Sequence, residues 1–343
     1  MDEHAALAWS PPPGWQRITV IESHTGGEPF RVVIDGLPGI PGSSVLERRR
    51  FAMENLDHLR RALMWEPRGH ADMYGGWIGP PTEAGSDLSV LFLHNDGFST
   101  MCGHGIIALC KVLIDTGIVA ADTNPSTLRI DTPAGTVLTS STLEAGCVVQ
   151  TRFQNVPSFA AALDQTVLVE GLGEVTYDLA FGGAYYAVVD GAPLGLDMSD
   201  VTRLTSAGRA IKRQIGNTTS IDHPDQADLG FLYGVIFTRE GKDPSIHSRN
   251  VCVFADGEVD RSPTGTGVSA RLAVLYARGG IGVDEQIVIE SIVGSRFTGR
   301  IVEVLDGDPV RVIPEVGGSA HLIGRSELWI DPGDQLGEGF LVR

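Results

Sequence analysis

The stretch Ser99-Thr100-Met101-Cys102-Gly103-His104-Gly105 decides the fold, because an apolar run follows it directly. A second stretch, Arg261-Ser262-Pro263-Thr264-Gly265-Thr266-Gly267, is followed by an apolar run in the same way. Small and polar residues before such a run predict a turn that leads into a buried helix. At the matching position the first stretch has the thiol of Cys102 and the second has the hydroxyl of Thr264. We expect this difference to decide the reaction.

Three landmarks of the chain recur in the same order about 160 residues further along, which indicates two similar halves. The matching pairs are Gly26-Gly27 with Gly182-Gly183, Cys102–Gly105 with Thr264–Gly267, and 130–135 with 289–294. With only two copies, a pseudo-two-fold pair of lobes is favoured over a solenoid. The candidate site is then the cleft in which the two helix N-termini face each other.

The hydrophobic pattern divides the chain at the point where the repeat restarts. We predict a flexible N-terminus over 1–14, a first lobe over 15–156 together with 328–343, and a second lobe over 157–327. Helices are predicted over about 44–64, 103–115, 206–214 and 265–278, with strands over most of the remaining apolar segments.

The composition describes an ordinary globular protein, with 42% hydrophobic and 20% charged residues among 343. Lys and Arg number 26 against 43 Asp and Glu, so the net charge of −17 argues against nucleic acid and against an anionic membrane as partners. We expect no transmembrane helix, since the chain has no apolar run of about 18 residues. The acidic N-terminus also lacks the order of a secretory signal.

Four cysteines are present, at positions 102, 110, 147 and 252, without a C-x-x-C motif. This usage predicts reduced thiols and a cytoplasmic protein. Cys110, Cys147 and Cys252 lie in apolar patterns, and we interpret them as structural. The assembly state is left open between a monomer and a homodimer.

A cysteine at a helix start is suited to chemistry, because unpaired N–H groups and the helix dipole favour the thiolate and lower the pKa of the thiol. Such a thiolate can act as a base or as a nucleophile. The glycines let backbone amides approach a ligand, so two facing helix starts would hold a carboxylate and stabilise charge that develops on it. The simpler alternative for Cys102, an inert buried thiol, is disfavoured by the glycines around it.

Other polar residues near the two stretches have both structural and functional interpretations. His104 is favoured as a ligand, whereas Asp260 is as compatible with a turn as with a site. His24, His70 and His321 lie beside glycine-containing turns and are interpreted as structural. The chain has no H-E-x-x-H motif and no cluster with zinc spacing, and it lacks a phosphate-binding loop, so we expect neither a metal nor a nucleotide.

The chain resembles the proline racemase family in several long motifs. These are His24–Pro29, Glu66–His70, Asp72–Gly75, Met101–Gly105, Gly182–Tyr186 and Asp260–Gly267. The resemblance runs from about Ile18 to Val342. It implies the fold of diaminopimelate epimerase, an α/β (α+β) arrangement of two pseudo-symmetric lobes. In this fold each lobe has a β-barrel-like sheet around a central helix, and the active site lies in the cleft between them.

The resemblance also implies the binding residues. The substrate carboxylate would be held by backbone amides of Gly103, His104, Gly265 and Thr266, and the ring nitrogen of an imino acid by His104 and Asp260. Neither a cofactor nor a metal would take part.

Thr264 departs from the pattern of the racemases, which have a second cysteine at this position. A hydroxyl is too weak an acid to mirror Cys102. A cysteine matched with a threonine instead resembles the dehydratases of this family, and that resemblance implies dehydration of trans-3-hydroxy-L-proline. In that isomer the α-hydrogen and the 3-hydroxyl lie on one ring face. Cys102 could therefore take the proton and then protonate the leaving hydroxyl as a single acid/base.

Two alternatives stay open at this point. The first is a proline or 4-hydroxyproline 2-epimerase that uses Thr264 or a water as a poor second acid. The second is a non-catalytic binder of imino acids, although a binder would gain nothing from a thiolate at Cys102. A covalent adduct on Cys102 is a lesser alternative for the chemistry.

Overall fold

The fold is described from a computed structural model that covers residues 3–241 and 243–342. Its helices are α1 Glu3–Ala8, α2 Val45–Asn55, α3 Asp57–Met64, α4 Gly103–Asp115, α5 Val201–Thr218 and α6 Gly265–Ala277, with a 3-10 turn at Ala227–Leu229. The strands of the first half are β1 Gln16–Thr25, β2 Glu28–Asp35, β3 Gly75–Gly79, β4 Leu88–Leu93, β5 Phe98–Ser99, β6 Ser126–Thr132, β7 Gly135–Glu144 and β8 Cys147–Gln154. They are followed by β9 Phe159–Val169, β10 Gly173–Phe181, β11 Tyr185–Asp190, β12 Leu232–Glu240, β13 Ser248–Phe254, β14 Glu258–Val259, β15 Ile287–Glu290, β16 Arg296–Leu305, β17 Arg311–Gly318 and β18 Ala320–Ile330.

The two halves of the sheet repeat one pairing scheme. In the first half, β1 pairs with β2 antiparallel, β2 with β3 parallel, β3 with β4 antiparallel and β4 with β6 parallel. In the second half, β10, β11, β12, β13 and β15 pair in the same sequence of directions. The halves are joined where β8 pairs with β17. The predicted duplication is thus present in the hydrogen-bonding pattern.

Each half of the sheet wraps around one central helix. Helix α4 packs against β1, β2, β8 and β18, and α6 packs against β9, β10, β16 and β17. Most positions of both helices are buried, which explains why their sequences are apolar on all sides rather than along one stripe. The α/β class with two similar lobes around central helices is confirmed.

The strand that returns to the first half begins earlier than the sequence indicated. β18 pairs with β1 over its whole length, from Thr25 with Ala320 to Gln16 with Ile330. The chain therefore pairs with the first half from Ala320 onward, ahead of the lobe boundary predicted at 328, and the predicted lobe bounds stay a prediction. The sequence pattern missed this because most of β18 is exposed and carries no clear alternation.

A further prediction about local structure is wrong. The single helix over 44–64 is two helices, since Leu56 leaves the helical region at φ −126° and ψ 12° and Asp57 starts α3. Of the three cysteines interpreted as structural, Cys147 is exposed on β8, whereas Cys110 and Cys252 are buried.

The N-terminal segment predicted to be flexible contains a short helix, α1, and Met1 and Asp2 lie outside the described residues. Beyond that helix, the ring of Trp9 contacts Trp15 and Trp329 at centroid distances of 6.2 and 5.0 Å. In the part of the chain that the structure covers, we find no helix with the length and apolar character that a bilayer crossing requires.

Candidate active site

The start of α4 is built around Cys102. Cys102 caps the helix in an extended conformation, and its Sγ accepts a hydrogen bond from the N–H of Gly105 at 3.2 Å. The side chain of Cys102 is only 4% exposed. A thiol at this position therefore faces free N–H groups of a first helical turn in a dry environment.

The start of α6 is built around Thr264, at the position that matches Cys102. Its backbone adopts the left-handed region with φ 66° and ψ 95°, which a β-branched residue rarely occupies. The N–H of Thr264 donates to Ser262 Oγ at 3.1 Å. Backbone strain of this kind collects at functional sites, where the surrounding structure enforces it.

The two helix starts touch each other through their glycines. A Cβ added to Gly103 would lie 2.5 Å from the Cα of Gly265, and one added to Gly265 would lie 2.6 Å from the Cα of Gly103. Only residues without side chains fit here, so the glycines are required by the close approach. The contact brings the unpaired N–H groups of both first turns to one place, as the repeat predicted.

A small cavity lies at this junction, and every predicted site residue lines it. Its lining residues are Tyr74, Met101, Cys102, Gly103, His104, Tyr186, Tyr233, Phe254, Asp260, Thr264, Gly265 and Thr266. Apolar walls with a few convergent polar groups are typical of a site for a small molecule.

Asp260 supplies a carboxyl group to the cavity from the loop before α6. Its Oδ1 accepts a hydrogen bond from the N–H of Ser262 at 2.7 Å, and the residue is 2% exposed. Burial raises the pKa of Asp260 to about 6, although hydrogen bonds from Ser262 and Thr264 oppose the shift. The carboxylate is thus largely ionised at neutral pH and can receive a cationic ring nitrogen.

His104 is a neutral group in this site. Burial lowers its pKa to about 3, while a hydrogen bond to the carbonyl of Pro29 acts in the opposite direction. Its Nδ1 lies 3.3 Å from Cys102 Sγ. Because the imidazole carries no charge, it and Cys102 do not form the thiolate–imidazolium ion pair of a cysteine protease.

The thiol of Cys102 behaves differently from the sequence-based expectation. Burial raises its pKa well above the ordinary value, and the charge of Asp260 adds to the rise. The hydrogen bonds from Gly105 N–H and from Tyr74 oppose it. The predicted lowering by the helix start is present as one contribution, but desolvation outweighs it.

Three tyrosines complete the cavity, and sequence reasoning did not identify any of them as functional. The hydroxyls of Tyr74 and Tyr233 lie 3.0 Å apart, and the hydroxyl of Tyr186 lies 2.7 Å from Thr266 Oγ1. All three residues are at most 5% exposed. Their positions in three separate segments gave no spacing signal, although Tyr74 and Tyr186 fall in quoted family motifs.

Contacts between the two halves hold the cavity closed. The N–H of Asn95 donates to Glu258 Oε1 at 2.9 Å, and the N–H of Arg261 donates to Glu28 Oε2 at 2.7 Å. Arg261 also pairs with Asp72 at 3.0 Å. A buried hydrogen bond is costly to leave unmade, so these contacts fix how the two helix starts meet.

Metal ligands do not cluster anywhere in residues 3–241 and 243–342, where no group of three or more His, Cys, Asp or Glu side chains is placed to hold an ion. The three histidines interpreted as structural, His24, His70 and His321, contact neighbouring residues. His24 stacks near His321 with ring centroids 5.2 Å apart, and His70 Nδ1 accepts a hydrogen bond from Asp72 N–H at 3.2 Å.

Comparison with known proteins agrees with this geometry. The sequence profile of the family described as Proline racemase matches residues 20–341. A protein of Colwellia psychrerythraea named trans-3-hydroxy-L-proline dehydratase is 45% identical over 95% of this chain and 93% of its own. A protein of Burkholderia multivorans named 3-hydroxyproline 2-epimerase is 43% identical over 95% of this chain and 98% of its own.

Among solved structures, a hydroxyproline epimerase from Agrobacterium vitis with bound trans-4-hydroxy-L-proline superposes with a TM-score of 0.91. It is 30% identical to this chain, and the match covers 96% of each.

Proposed function

The chain belongs to the proline racemase family, and on that premise we propose that it dehydrates trans-3-hydroxy-L-proline to Δ1-pyrroline-2-carboxylate and water. One observation carries the proposal. The cavity has a thiol, Cys102, at one helix start and the hydroxyl of Thr264 at the matching position of the other. Family membership also makes the chain an enzyme rather than a binder.

Substrate binding uses the two helix starts and the two polar groups beside them. The carboxylate of the imino acid accepts hydrogen bonds from free N–H groups among Gly103, His104, Gly265 and Thr266. The ring ammonium faces the carboxylate of Asp260 and the neutral imidazole of His104. None of these groups is a positively charged side chain, so the backbone N–H dipoles stabilise the negative charge of the substrate carboxylate.

The reaction begins when Cys102, as thiolate, takes the α-proton. Negative charge then moves toward the carboxylate, where the helix N-termini stabilise it. The 3-hydroxyl lies on the same ring face as the α-hydrogen, so the new thiol can return its proton to the departing oxygen. The C–O bond breaks, a C=C bond forms, and water leaves. The enamine then becomes the cyclic imine, and Cys102 is a thiolate again.

Thr264 occupies the opposite side of the reacting carbon and does not replace the second cysteine as an acid or base. An aliphatic hydroxyl does not ionise at physiological pH, so it cannot deliver a proton to the far face at a useful rate. The side chain of Thr264 opposes the rise in the pKa of Asp260 and of Cys252, as a hydrogen-bond donor does. We assign it a packing and hydrogen-bonding role.

A second candidate is 2-epimerisation of 3-hydroxyproline, because the relative from Burkholderia multivorans has that name at 43% identity. It would require proton delivery from the Thr264 side through a water. The two candidates differ in product, since dehydration yields an imine and epimerisation yields the opposite configuration at Cα.

Incubation of the purified protein with trans-3-hydroxy-L-proline tests the proposal. An added Δ1-pyrroline-2-carboxylate reductase reports the imine by consumption of NADPH. Cys102→Ser should abolish turnover, whereas Cys147→Ser, which changes an exposed cysteine, should leave it intact. NADPH consumption that survives Cys102→Ser, or absence of imine with the wild-type protein, would refute the proposal.

The proposal extends to location and assembly. We place the enzyme in the cytoplasm, because its four cysteines are all unpaired thiols. We also infer a homodimer, since β18 pairs with β1 alone among the described strands and exposes Leu322 and Ile323. Light scattering coupled to size-exclusion chromatography would give the mass, and a monomer at micromolar concentration would refute the assembly.

A further inference from the structure

In the proposed reaction, one sulfur atom must exchange a proton with two different atoms of the substrate. Cys102 must take the hydrogen on Cα and then reach the oxygen on the neighbouring ring carbon. The sulfur is fixed by the N–H of Gly105 and by burial, so it has little freedom to move between them. A second donor on the same side of the cavity would remove this difficulty.

The cavity has such a donor in the hydroxyl of Tyr74. Tyr74 precedes β3 in the first lobe, is 2% exposed and lines the cavity together with Cys102. Its ring packs edge-on against the ring of His104 with centroids 4.9 Å apart, which fixes its position. The hydroxyl also acts on the Cys102 thiol, since it opposes the rise in the pKa of that thiol.

Tyr233, on β12 of the second lobe, orients that hydroxyl. The two phenol oxygens lie 3.0 Å apart in a buried environment. Each phenol has one hydrogen, so when Tyr233 donates to Tyr74, the hydrogen of Tyr74 is left for the cavity. Tyr186 has a different partner, because its hydroxyl bonds to Thr266 on the α6 side.

We propose that Tyr74, oriented by Tyr233, is the group that delivers the proton to the leaving 3-hydroxyl. This role rests on the proposed dehydration. As the C–O bond breaks, the O–H of Tyr74 gives its proton to the departing oxygen, which leaves as water. The thiol of Cys102 gives the α-proton to the Tyr74 oxygen in the same step. Cys102 returns to thiolate and Tyr74 to phenol, so the substrate has lost one H and one OH.

Burial is consistent with this relay. The pKa of Tyr74 lies well above its ordinary value, chiefly because of desolvation. The phenol is therefore neutral in the resting site and acts as a donor rather than as an anion. A proton that enters as another leaves never requires a free phenolate in the cavity.

A substrate whose leaving group departs without a proton distinguishes proton delivery by Tyr74 from a structural role of this residue. Wild type, Tyr74→Phe and Tyr233→Phe are assayed with trans-3-hydroxy-L-proline and with trans-3-fluoro-L-proline, by imine formation and by fluoride release. Both substrates need α-proton removal by Cys102, but fluoride departs as a weak base. For Tyr74→Phe we expect kcat to fall about 100-fold with the hydroxy substrate and less than tenfold with the fluoro substrate.

Tyr233→Phe should also lose more kcat with the hydroxy substrate than with the fluoro substrate. The loss should be smaller than for Tyr74→Phe, since the change disturbs only the orientation of Tyr74. The matched control is Tyr185→Phe, which removes another buried phenol outside the cavity that donates to the Asp222 carbonyl at 2.9 Å. It should leave both rates near the wild-type values.

Equal losses of Tyr74→Phe with both substrates would overturn the relay, because they would mean that Tyr74 supports only the fold or the thiol. Retention of the wild-type rate by Tyr74→Phe with the hydroxy substrate would overturn the relay as well. Absence of imine with the wild-type protein would refute the proposed function itself, and the relay with it.

Discussion

The contact between Gly103 and Gly265 gives the sharpest prediction about the site. In Gly103→Ala the new Cβ would lie 2.5 Å from the Cα and 2.9 Å from the carbonyl carbon of Gly265. Ordinary contact between carbon atoms needs about 3.5 Å or more. The obstacle is backbone, which cannot rotate away as a side chain can, so the helix starts must separate by about 1 Å.

Such a separation widens the ring of N–H donors that the reaction depends on. A displacement of about 1 Å at a catalytic site costs on the order of 100-fold in rate. Overpacking of this kind also lowers the free energy of unfolding by about 1–3 kcal/mol. We therefore expect Gly103→Ala to fold, to lose about 100-fold in kcat for imine formation and to unfold at lower denaturant concentration.

Gly216→Ala is the matched control, because it makes the same change in helix α5. Among the residues that the structure describes, no atom outside the adjoining turns of α5 lies within 4 Å of the added Cβ at Gly216. It should leave kcat unchanged and raise the free energy of unfolding by about 0.5–1 kcal/mol through helix propensity. A Gly103→Ala protein with wild-type kcat would refute the argument that the two helix starts form one site.

Four further outcomes follow from the described contacts. Since the pKa of the Cys102 thiol is raised, kcat/KM for imine formation should increase with pH into the alkaline range, and a profile that falls there would contradict a thiolate base. With the pKa of Asp260 at about 6, KM should rise as pH falls below 6, which initial rates at several pH values will show. Thr264→Cys should introduce Cα inversion of L-proline, measurable by chiral chromatography, and no inversion would show that position 264 does not decide the reaction. Asp131→Ala removes the acceptor of hydrogen bonds from Thr82, Ser86 and other groups, so the free energy of unfolding should fall by about 2–4 kcal/mol in denaturant titrations while kcat stays unchanged.

The two lobes and their central helices could be predicted from the sequence, because the duplication is visible as repeated sequence motifs. The apolar run after Cys102 and its repeat after Thr264 placed both central helices, and α4 begins and ends at the predicted residues. Their facing starts follow from the pseudo-two-fold symmetry. Local order of this kind depends on neighbours in the chain, so periodicity can reveal it.

The features that were missed depend on tertiary surroundings. The hydroxyls of Tyr74 and Tyr233 meet across the two lobes, from positions that share no spacing in the sequence. The pKa direction of Cys102 depends on how far water is excluded, which a helix start alone does not indicate. Cys147 lies in an apolar pattern, yet it falls on an exposed position of β8. The roles of the individual site residues remain predictions for the variants above.

The most direct test of a single-base dehydration is the configuration of substrate that has not yet reacted. The wild-type protein is incubated with trans-3-hydroxy-L-proline to half conversion, and the remaining amino acid is resolved by chiral chromatography. With Cys102 on one face and Thr264 on the other, the remainder should be entirely trans-3-hydroxy-L-proline, with imine as the product. Accumulation of cis-3-hydroxy-D-proline would mean that a proton reaches the Thr264 face, and it would contradict the single-base account.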